Sequence, residues 1–245
     1  MLATIDNQLK QLYREPDSLA FTFAQPFVLM LILNAFNFRF TLPTGESRPY
    51  IDRLLPGLIA FNGMNVGFNS VTFALARYKE RGVLRRVRAT PLPTWAFIGG
   101  VIVSRVILAA IATVITYVVG VYVFRAHMSG SFALIFALSL LGAAVFIALG
   151  LLIVSWARSE DSIPPLFLLV LMPSLLFSGA FLDRRGLPDW LHRATDVLPL
   201  TFLTDAVGKV ATLGGGLSDV RADILGLLVW GALATAVAAW KFKMA

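Results

Sequence analysis

The chain has 245 residues, of which 58% are hydrophobic and only 14% are charged. One soluble core cannot bury this much apolar surface, so a soluble enzyme is excluded and an all-α integral membrane protein is predicted. The net charge of +7 does not indicate a nucleic-acid partner, because membrane proteins concentrate Lys and Arg beside anionic lipid headgroups. No cysteine is present, which rules out disulfides and thiolate metal ligands.

Apolar stretches of about 20 residues, the length that a helix needs to cross a bilayer, recur along the chain. We predict six spans in a single transmembrane domain over 1–245, at residues 19–38, 54–75, 106–124, 132–157, 163–182 and 224–240. Residues 1–15 have the spacing of an amphipathic helix on the membrane surface, with a solvated tail as the alternative. No signal-peptide cleavage site follows the first apolar stretch, so the first span is expected to remain in the mature protein.

The second predicted span carries a polar face. Asn62, Asn65 and Asn69 follow at offsets of three and four residues, which places their amides on one side of a helix. Gly63 and Gly67 form a Gly-x-x-x-Gly pair that allows another helix backbone to approach closely. These residues are predicted to pack helices together, with contact to a transported molecule as the alternative.

The apolar stretch at 95–124 is longer than one crossing requires. We predict an interfacial lead-in at 95–104, which places Arg105 near the cytoplasmic headgroups and leaves 106–124 as the third span. The alternative is an arginine that functions inside the membrane.

Charges set the predicted orientation of the chain. Six cations lie within the twelve residues 77–88, a density typical of a cytoplasmic loop, so both termini are predicted to be cytoplasmic. The segment at 187–213 contains too many charges to cross lipid as one helix. Short helices at or partly inside the outer leaflet are predicted there.

The basic run at 77–94 reads RYKERGVLRRVRATPLPT. Its cations and interleaved apolar residues are consistent with a topology signal, with a helix on lipid headgroups, or with docking on a partner protein. Physical chemistry alone leaves these three interpretations open.

Two motifs resemble signatures of the type-two export permeases of ATP-binding cassette (ABC) transporters. The first follows the second span and comprises Glu80, Arg81, Gly82, Leu84, Ala89, Thr90, Pro91 and Leu92. The second follows the fifth span and comprises Ser178, Gly179, Leu187, Pro188, Trp190, Leu191, Pro199, Leu200, Thr201 and Asp205. The chain departs from the family in having Gly99 and Gly100 where many members carry Gly-Lys, and Arg105 is a candidate for the missing cation.

The resemblance implies a plasma-membrane permease, expected in a bacterium, that dimerises with an identical or related permease and contacts membrane lipids. It implies two copies of an ABC ATPase subunit as partners, which would bind ATP and magnesium, so that no cofactor is expected in this chain. The implied coupling residues, which would dock the ATPase, are Glu80, Arg81, Gly82, Leu84, Arg85, Arg86 and Arg88. Residues 187–208 would form re-entrant outer helices.

Nothing in the sequence supplies an ATP site, because no Gly-x-x-x-x-Gly-Lys-Ser/Thr motif occurs. The implied function is therefore ATP-driven export of a hydrophobic or amphipathic compound, drug-like or lipid-like, as in multidrug efflux and antibiotic resistance. A lipid-linked glycan or polysaccharide is an alternative cargo. Polar and aromatic residues of spans one, two and five form the candidate substrate path, with helix packing or lipid contact as the alternative role: Asn34, Asn62, Asn65, Asn69, Phe73, Met172 and Phe177.

Three other classes of membrane protein are less consistent with the sequence. A gradient-driven transporter or channel usually needs ionisable groups at mid-membrane, which five of the six predicted spans lack. An intramembrane enzyme could use His192 with Asp196 one helical turn away, but no nucleophile motif accompanies them. A purely structural anchor would need neither the asparagine face nor the broken outer segment.

Overall fold

The structure is a computed structural model that describes residues 16–35, 39–41, 47–80, 82–83, 94–157, 160–179 and 188–243. A short antiparallel hairpin, which the sequence did not predict, pairs β1 (Arg39–Thr41) with β2 (Ser47–Pro49). The remaining elements of the described residues are helical. They are α1 (Pro16–Ala35), α2 (Ile51–Glu80), α3 (Thr94–Tyr122), α4 (Phe132–Trp156), α5 (Ile163–Phe177), α6 (Asp189–Thr195), α7 (Pro199–Leu213) and α8 (Arg221–Lys243).

Four of the described helices, α2, α3, α4 and α8, are long and apolar enough to cross a membrane. This confirms a helical membrane protein. Helices α1 and α5 coincide with the first and fifth predicted spans, but the 15 residues of α5 extend only about 22 Å, less than the hydrocarbon thickness of about 30 Å. The count of six spans stays a prediction, and the predicted amphipathic helix at 1–15 lies outside the described residues.

Helix α3 is continuous, and its 29 residues include both the predicted lead-in and the predicted span. Arg105 is 7% exposed and buried in the bundle, between Val101, which clusters with Val71, and Ala109, which clusters with Val66. The sequence did not predict this burial between helices. The level of Arg105 relative to the headgroups stays a prediction.

Helix α2 occupies the centre of the bundle and contacts α3, α4 and α7. Leu54, Leu55, Leu58 and Ile59 are fully buried in the main core. Between its α-helical parts, the turn Asn65–Ser70 has π-helical geometry. Most of the surface of α2 is covered by neighbouring helices.

Small residues bring α2 and α4 into close contact, as the Gly-x-x-x-Gly pair predicted. A Cβ added to Gly63 would lie 3.3 Å from the carbonyl oxygen of Ser139. One added to Gly67 would lie 2.6 Å from the carbonyl oxygen of Ala143, closer than real contacts allow. The two backbones therefore meet without intervening side chains at this point.

The bundle has two distinct ends. At one end, here called the basic end, α2 finishes beside the end of α4, where Lys79 Nζ donates to the carbonyl oxygen of Ala157 at 2.9 Å. Helix α8 finishes at the same end, with Lys241 Nζ 4.6 Å from the centre of the Trp156 ring. The opposite end, here called the far end, contains the start of α2 and the connection from α3 to α4.

Helix α7 lies within the far half of the bundle. Leu203 packs against Gly63 and Gly142, which lie well inside α2 and α4. Just before α7, the carbonyl oxygen of Val197 accepts a hydrogen bond from Trp230 Nε1 at 2.8 Å, about 14 Å along α8 from its start. The C-terminal end of α7 lies near the α3–α4 connection, where the backbone N–H of Ser129 donates to Ala211 at 2.8 Å.

Substitution of Gly67 by alanine tests the close packing of α2 on α4. We expect Gly67→Ala to lower the stability of the solubilised protein by about 1–3 kcal/mol, because the new methyl group would force the two backbones apart. Gly63→Ala, whose contact is looser, should cost less. Thermal unfolding of the detergent-solubilised protein, followed by size-exclusion chromatography, measures both effects.

Gly208→Ala is the matched control, because an added Cβ there meets no atom within 4 Å. Alanine has a higher helix propensity than glycine, so this variant should be as stable as the unsubstituted protein or more stable by up to about 1 kcal/mol. Equal stability losses at Gly67 and Gly208 would contradict the packing model.

Candidate functional site

The predicted coupling segment begins where α2 ends. Glu80 is exposed in the last turn, and the backbone N–H of Gly82 donates to the carbonyl oxygen of Lys79 at 3.2 Å. Gly82 has a φ of 66°, the left-handed conformation that commonly terminates a helix and that glycine adopts without strain. An added Cβ would meet no atom within 4 Å, so the turn itself is open.

The chain enters and leaves the coupling segment at neighbouring positions. The rings of Tyr78, near the end of α2, and Phe97, near the start of α3, meet edge to face with their centres 5.5 Å apart. The end of α2 and the start of α3 therefore lie side by side at the basic end. The predicted docking residues Arg81, Leu84, Arg85, Arg86 and Arg88 lie outside the described residues and stay predictions.

The three asparagines of α2 engage protein partners. Asn62 is 1% exposed, and its Nδ2 donates to Thr116 Oγ1 of α3 at 2.7 Å. Asn69 Nδ2 donates to Asn65 Oδ1 at 3.2 Å, and both residues are half-buried. In this conformation, Asn62 joins helices and presents no open surface to a transported molecule.

Sequence reasoning missed the hydroxyl groups that face α2. Thr116 accepts from Asn62, and one turn along α3 Thr113 Oγ1 lies 2.7 Å from Ser139 Oγ of α4. All are buried. Isolated hydroxyl residues in apolar spans could have indicated interhelical hydrogen bonds, although the sequence alone could not pair them.

The π-helical turn coincides with the half-buried asparagines. The hydroxyl of Ser70, the last residue of this turn, donates to the carbonyl oxygen of Val66. The hydroxyl of Thr72 donates to the carbonyl oxygen of Phe68, so both carbonyl groups have partners within the bundle. π-helical turns inside α-helices are frequently found at functional sites. The asparagines at 65 and 69 are therefore the best-placed polar groups of the candidate path.

The other candidate path residues do not converge with Asn62 in one pocket of this protomer. Asn34 of α1 and Met172 of α5 face outward, and Phe177 is half-buried. Phe73 packs at the basic end against a buried cluster of Ala76, Ala157 and Ile163. A groove of about 580 Å³ runs between α4 and α8, and none of the described residues that line it belongs to the candidate path.

The second sequence signature forms an internal connection between α5 and the helices α6 and α7. Thr204 Oγ1 of α7 donates to the carbonyl oxygen of Ser178, just after α5, at 2.7 Å. Thr201 Oγ1 donates to the carbonyl oxygen of Thr195, at the end of α6, at 2.7 Å. These buried bonds hold α6 and α7 to the end of α5.

Two carboxylates fasten the far end. Lys209 Nζ of α7 forms an ion pair with Asp223 Oδ2 at 2.7 Å, and the Asp223 side chain is 8% exposed. Asp52, in the first turn of α2, accepts the backbone N–H of His127 at 2.8 Å. Of the candidate catalytic pair, Asp196 is exposed in a turn, and the side chain of His192 lies outside the described parts of the chain.

Comparison with known proteins matches residues 1–210 to the family model of the ABC-2 type transporter. The chain is 27% identical over 178 residues to the probable multidrug ABC transporter permease YbhR of Escherichia coli, covering 72% of the chain and 47% of that protein. It is 26% identical over 193 residues to ABC transporter G family member 20 of Dictyostelium discoideum, covering 77% and 26%. The chain thus spans about half or less of the length of these relatives.

A double-mutant cycle tests whether Asn62 acts by joining helices. We expect Asn62→Leu and Thr116→Val to couple by about 0.6–1.7 kcal/mol, the range of interhelical hydrogen bonds in membranes. The free energy of unfolding in mild detergent measures each variant. Asn34→Leu, on an outward face, replaces Asn62→Leu in the control cycle and should show no coupling to Thr116→Val.

Zero coupling between Asn62 and Thr116 would contradict the packing role. A loss of transport at unchanged stability in Asn62→Leu would favour cargo contact instead.

Proposed function

The chain belongs to the ABC-2 type transporter family, and from this premise we propose that it is the membrane subunit of an ABC exporter. A partner ATPase, present in two copies, would bind ATP and magnesium and supply the energy. The observation that carries this proposal is that the basic sequence joins two helix ends that lie side by side. It follows a continuous central helix, whose last turn exposes Glu80.

The docking surface is proposed to comprise Glu80, Arg81, Gly82, Leu84, Arg85, Arg86 and Arg88. A rigid helix that ends in an open glycine turn can transmit a push from this surface directly into the bundle. Charge complementarity with an acidic groove would favour association with a partner. The contact between Tyr78 and Phe97 means that a push on this surface would reach α2 and α3 at neighbouring positions.

We further propose that six spans cross the plasma membrane with the basic end in the cytoplasm. The cations at this end follow the positive-inside rule, and Lys241 beside Trp156 resembles an interfacial anchor. In this arrangement α1 and α5 are the two additional spans, and both termini are cytoplasmic. Because α5 ends short and α7 lies within the far half of the bundle, α6 and α7 are proposed as re-entrant outer helices.

A second permease copy, identical or related, is proposed to pack beside α5. One side of this helix packs against the rest of the protomer, through Ile163, Leu171 and Ser178. Along its length, large apolar side chains are exposed, including Leu166, Leu169, Met172 and Leu176. Such a surface suits another helix or lipid, and a partner here would bring Met172 and Phe177 of each copy towards a shared path.

The proposed cargo is a hydrophobic or amphipathic compound. The described spans offer amide and hydroxyl groups in apolar surroundings, which suit a weakly polar molecule better than a highly charged one. The name of the Escherichia coli relative contains "multidrug", which favours drug-like cargo and a role in efflux and antibiotic resistance. Lipids and lipid-linked glycans are the competing cargo classes.

A gradient-driven transporter is the second candidate. The observation that favours it is the buried Arg105, since ionisable groups inside a membrane often belong to ion or proton pathways. Family membership weighs against it.

Co-purification with an ATPase tests the proposed function. The solubilised chain, tagged at its C-terminus and expressed in its native host, should retain an ABC ATPase with measurable ATP hydrolysis. Glu80→Ala, and glutamine at Arg81, Arg85 and Arg86 together, should each reduce the retained ATPase by about tenfold or more, as loss of interface hot spots does.

The matched control changes three arginines at the opposite end of the bundle to glutamine: Arg125, Arg193 and Arg221. It removes the same charge from exposed positions and should leave ATPase retention unchanged. Elution of the folded chain alone would argue against the ABC proposal and in favour of the gradient-driven transporter.

A further inference from the structure

Lys79 joins the end of α2 to the end of α4. Its ammonium group donates to the carbonyl oxygen of Ala157 at 2.9 Å and lies 3.5 Å from that of Val154. Helix α4 stops here because Ala157 adopts an extended conformation, with φ of −64° and ψ of 132°. Lys79 therefore holds two carbonyl oxygens at the C-terminus of a neighbouring helix.

This contact is chemically favourable for two reasons. The last four carbonyl groups of a helix lack partners within it, and Val154 belongs to this set. The C-terminus of a helix also carries partial negative charge, which attracts a cation. A lysine supplies both the hydrogen-bond donors and the charge from a flexible side chain.

An apolar cluster lies beside the lysine and extends the connection. Ala76, one turn before Lys79, is buried with Ala157 and with Ile163, the first residue of α5. The last turns of α2 thus meet the end of α4 and the start of α5 together. The hydrogen bond from Lys79 holds the end of α4 at the level of this cluster along α2.

The position of Lys79 relative to the docking segment gives the contact its significance. Lys79 lies three residues before Gly82, at which the helix ends. Any displacement of the docking segment reaches Lys79 before the buried centre of the bundle. Resting on the proposed function, we propose that Lys79 is a positioning residue that makes the basic end of α4 follow α2 during the ATPase cycle.

The absence of cysteine makes a distance measurement straightforward. Spin labels are attached at Ala74→Cys on α2 and Ser155→Cys on α4, both half-buried near the basic end. Pulsed electron paramagnetic resonance on the purified chain in lipid nanodiscs, without any ATPase, gives the distance distribution. Lys79→Met should broaden this distribution by about twofold, since the two helix ends are released from each other.

Three variants separate positioning from general effects. Lys79→Arg retains a cationic donor and should restore the narrow distribution. Lys241→Met also removes one positive charge from the basic end, where Lys241 lies over the Trp156 ring, and should leave the distance distribution unchanged. Lys79→Gln, which loses charge and reach, serves as a second loss variant if Lys79→Met does not elute as a single folded species.

The second arm adds the co-purified ATPase and traps it with ATP and vanadate. In the unsubstituted chain, the distance should stay nearly constant because the two helix ends move together. In Lys79→Met, trapping should change it by about 2 Å or more, the scale of helix shifts in switching proteins. The same change in both proteins would overturn the proposal.

The two arms separate the possible failures. An unchanged resting distribution in both Lys79→Met and Lys79→Gln would overturn the positioning role, even if the ATPase binds normally. A chain that binds no ATPase would overturn the proposed function and the transmission that rests on it. The resting arm would then still decide whether Lys79 holds α4.

Discussion

The burial of α2 by other helices is the constraint on which the rest of the structure depends. Hydrocarbon offers no hydrogen-bond partners, so polar groups at membrane depth must find them within the protein. The central position of α2 supplies Thr116 to Asn62 and surrounds the π-helical turn with protein. The same position demands small residues, because α4 packs closely where Gly63 and Gly67 have no side chain. One helix thus combines buried polar groups, close backbone packing and the connection to the basic end.

Sequence patterns predicted those features that depend on local composition. The long apolar helices and the close approach at Gly63 and Gly67 were both predicted correctly. The burial of Arg105 was not, because the positive-inside rule assigns cations to interfaces and cannot account for a neighbouring helix that covers one. The bonding of Asn62 to Thr116 also required the fold, since 54 residues separate them in the chain.

The two ends of the bundle are held by different interactions. At the basic end, Lys79 reaches Ala157 and Lys241 lies over the Trp156 ring, beside an apolar cluster that contains Ala76. The far end combines the buried Asp223 carboxylate with backbone hydrogen bonds to the α3–α4 connection. The contacts at the basic end can be kept while its helix ends shift together, whereas the backbone hydrogen bonds at the far end tie α7 to the connection between two other helices. The basic end is therefore suited to movement and the far end to closure.

This difference limits how a path to the outside could open. Displacement of α7 alone would break its ion pair with Asp223 and the bond from Trp230 to Val197, and it would remove Leu203 from the core. Loss of the ion pair would leave the buried Asp223 carboxylate without its cation, and removal of Leu203 would leave a cavity. Helices α7 and α8 are therefore expected to move as one unit. An opening between this unit and α5 would have to break the buried hydrogen bond from Thr204 to the carbonyl oxygen of Ser178.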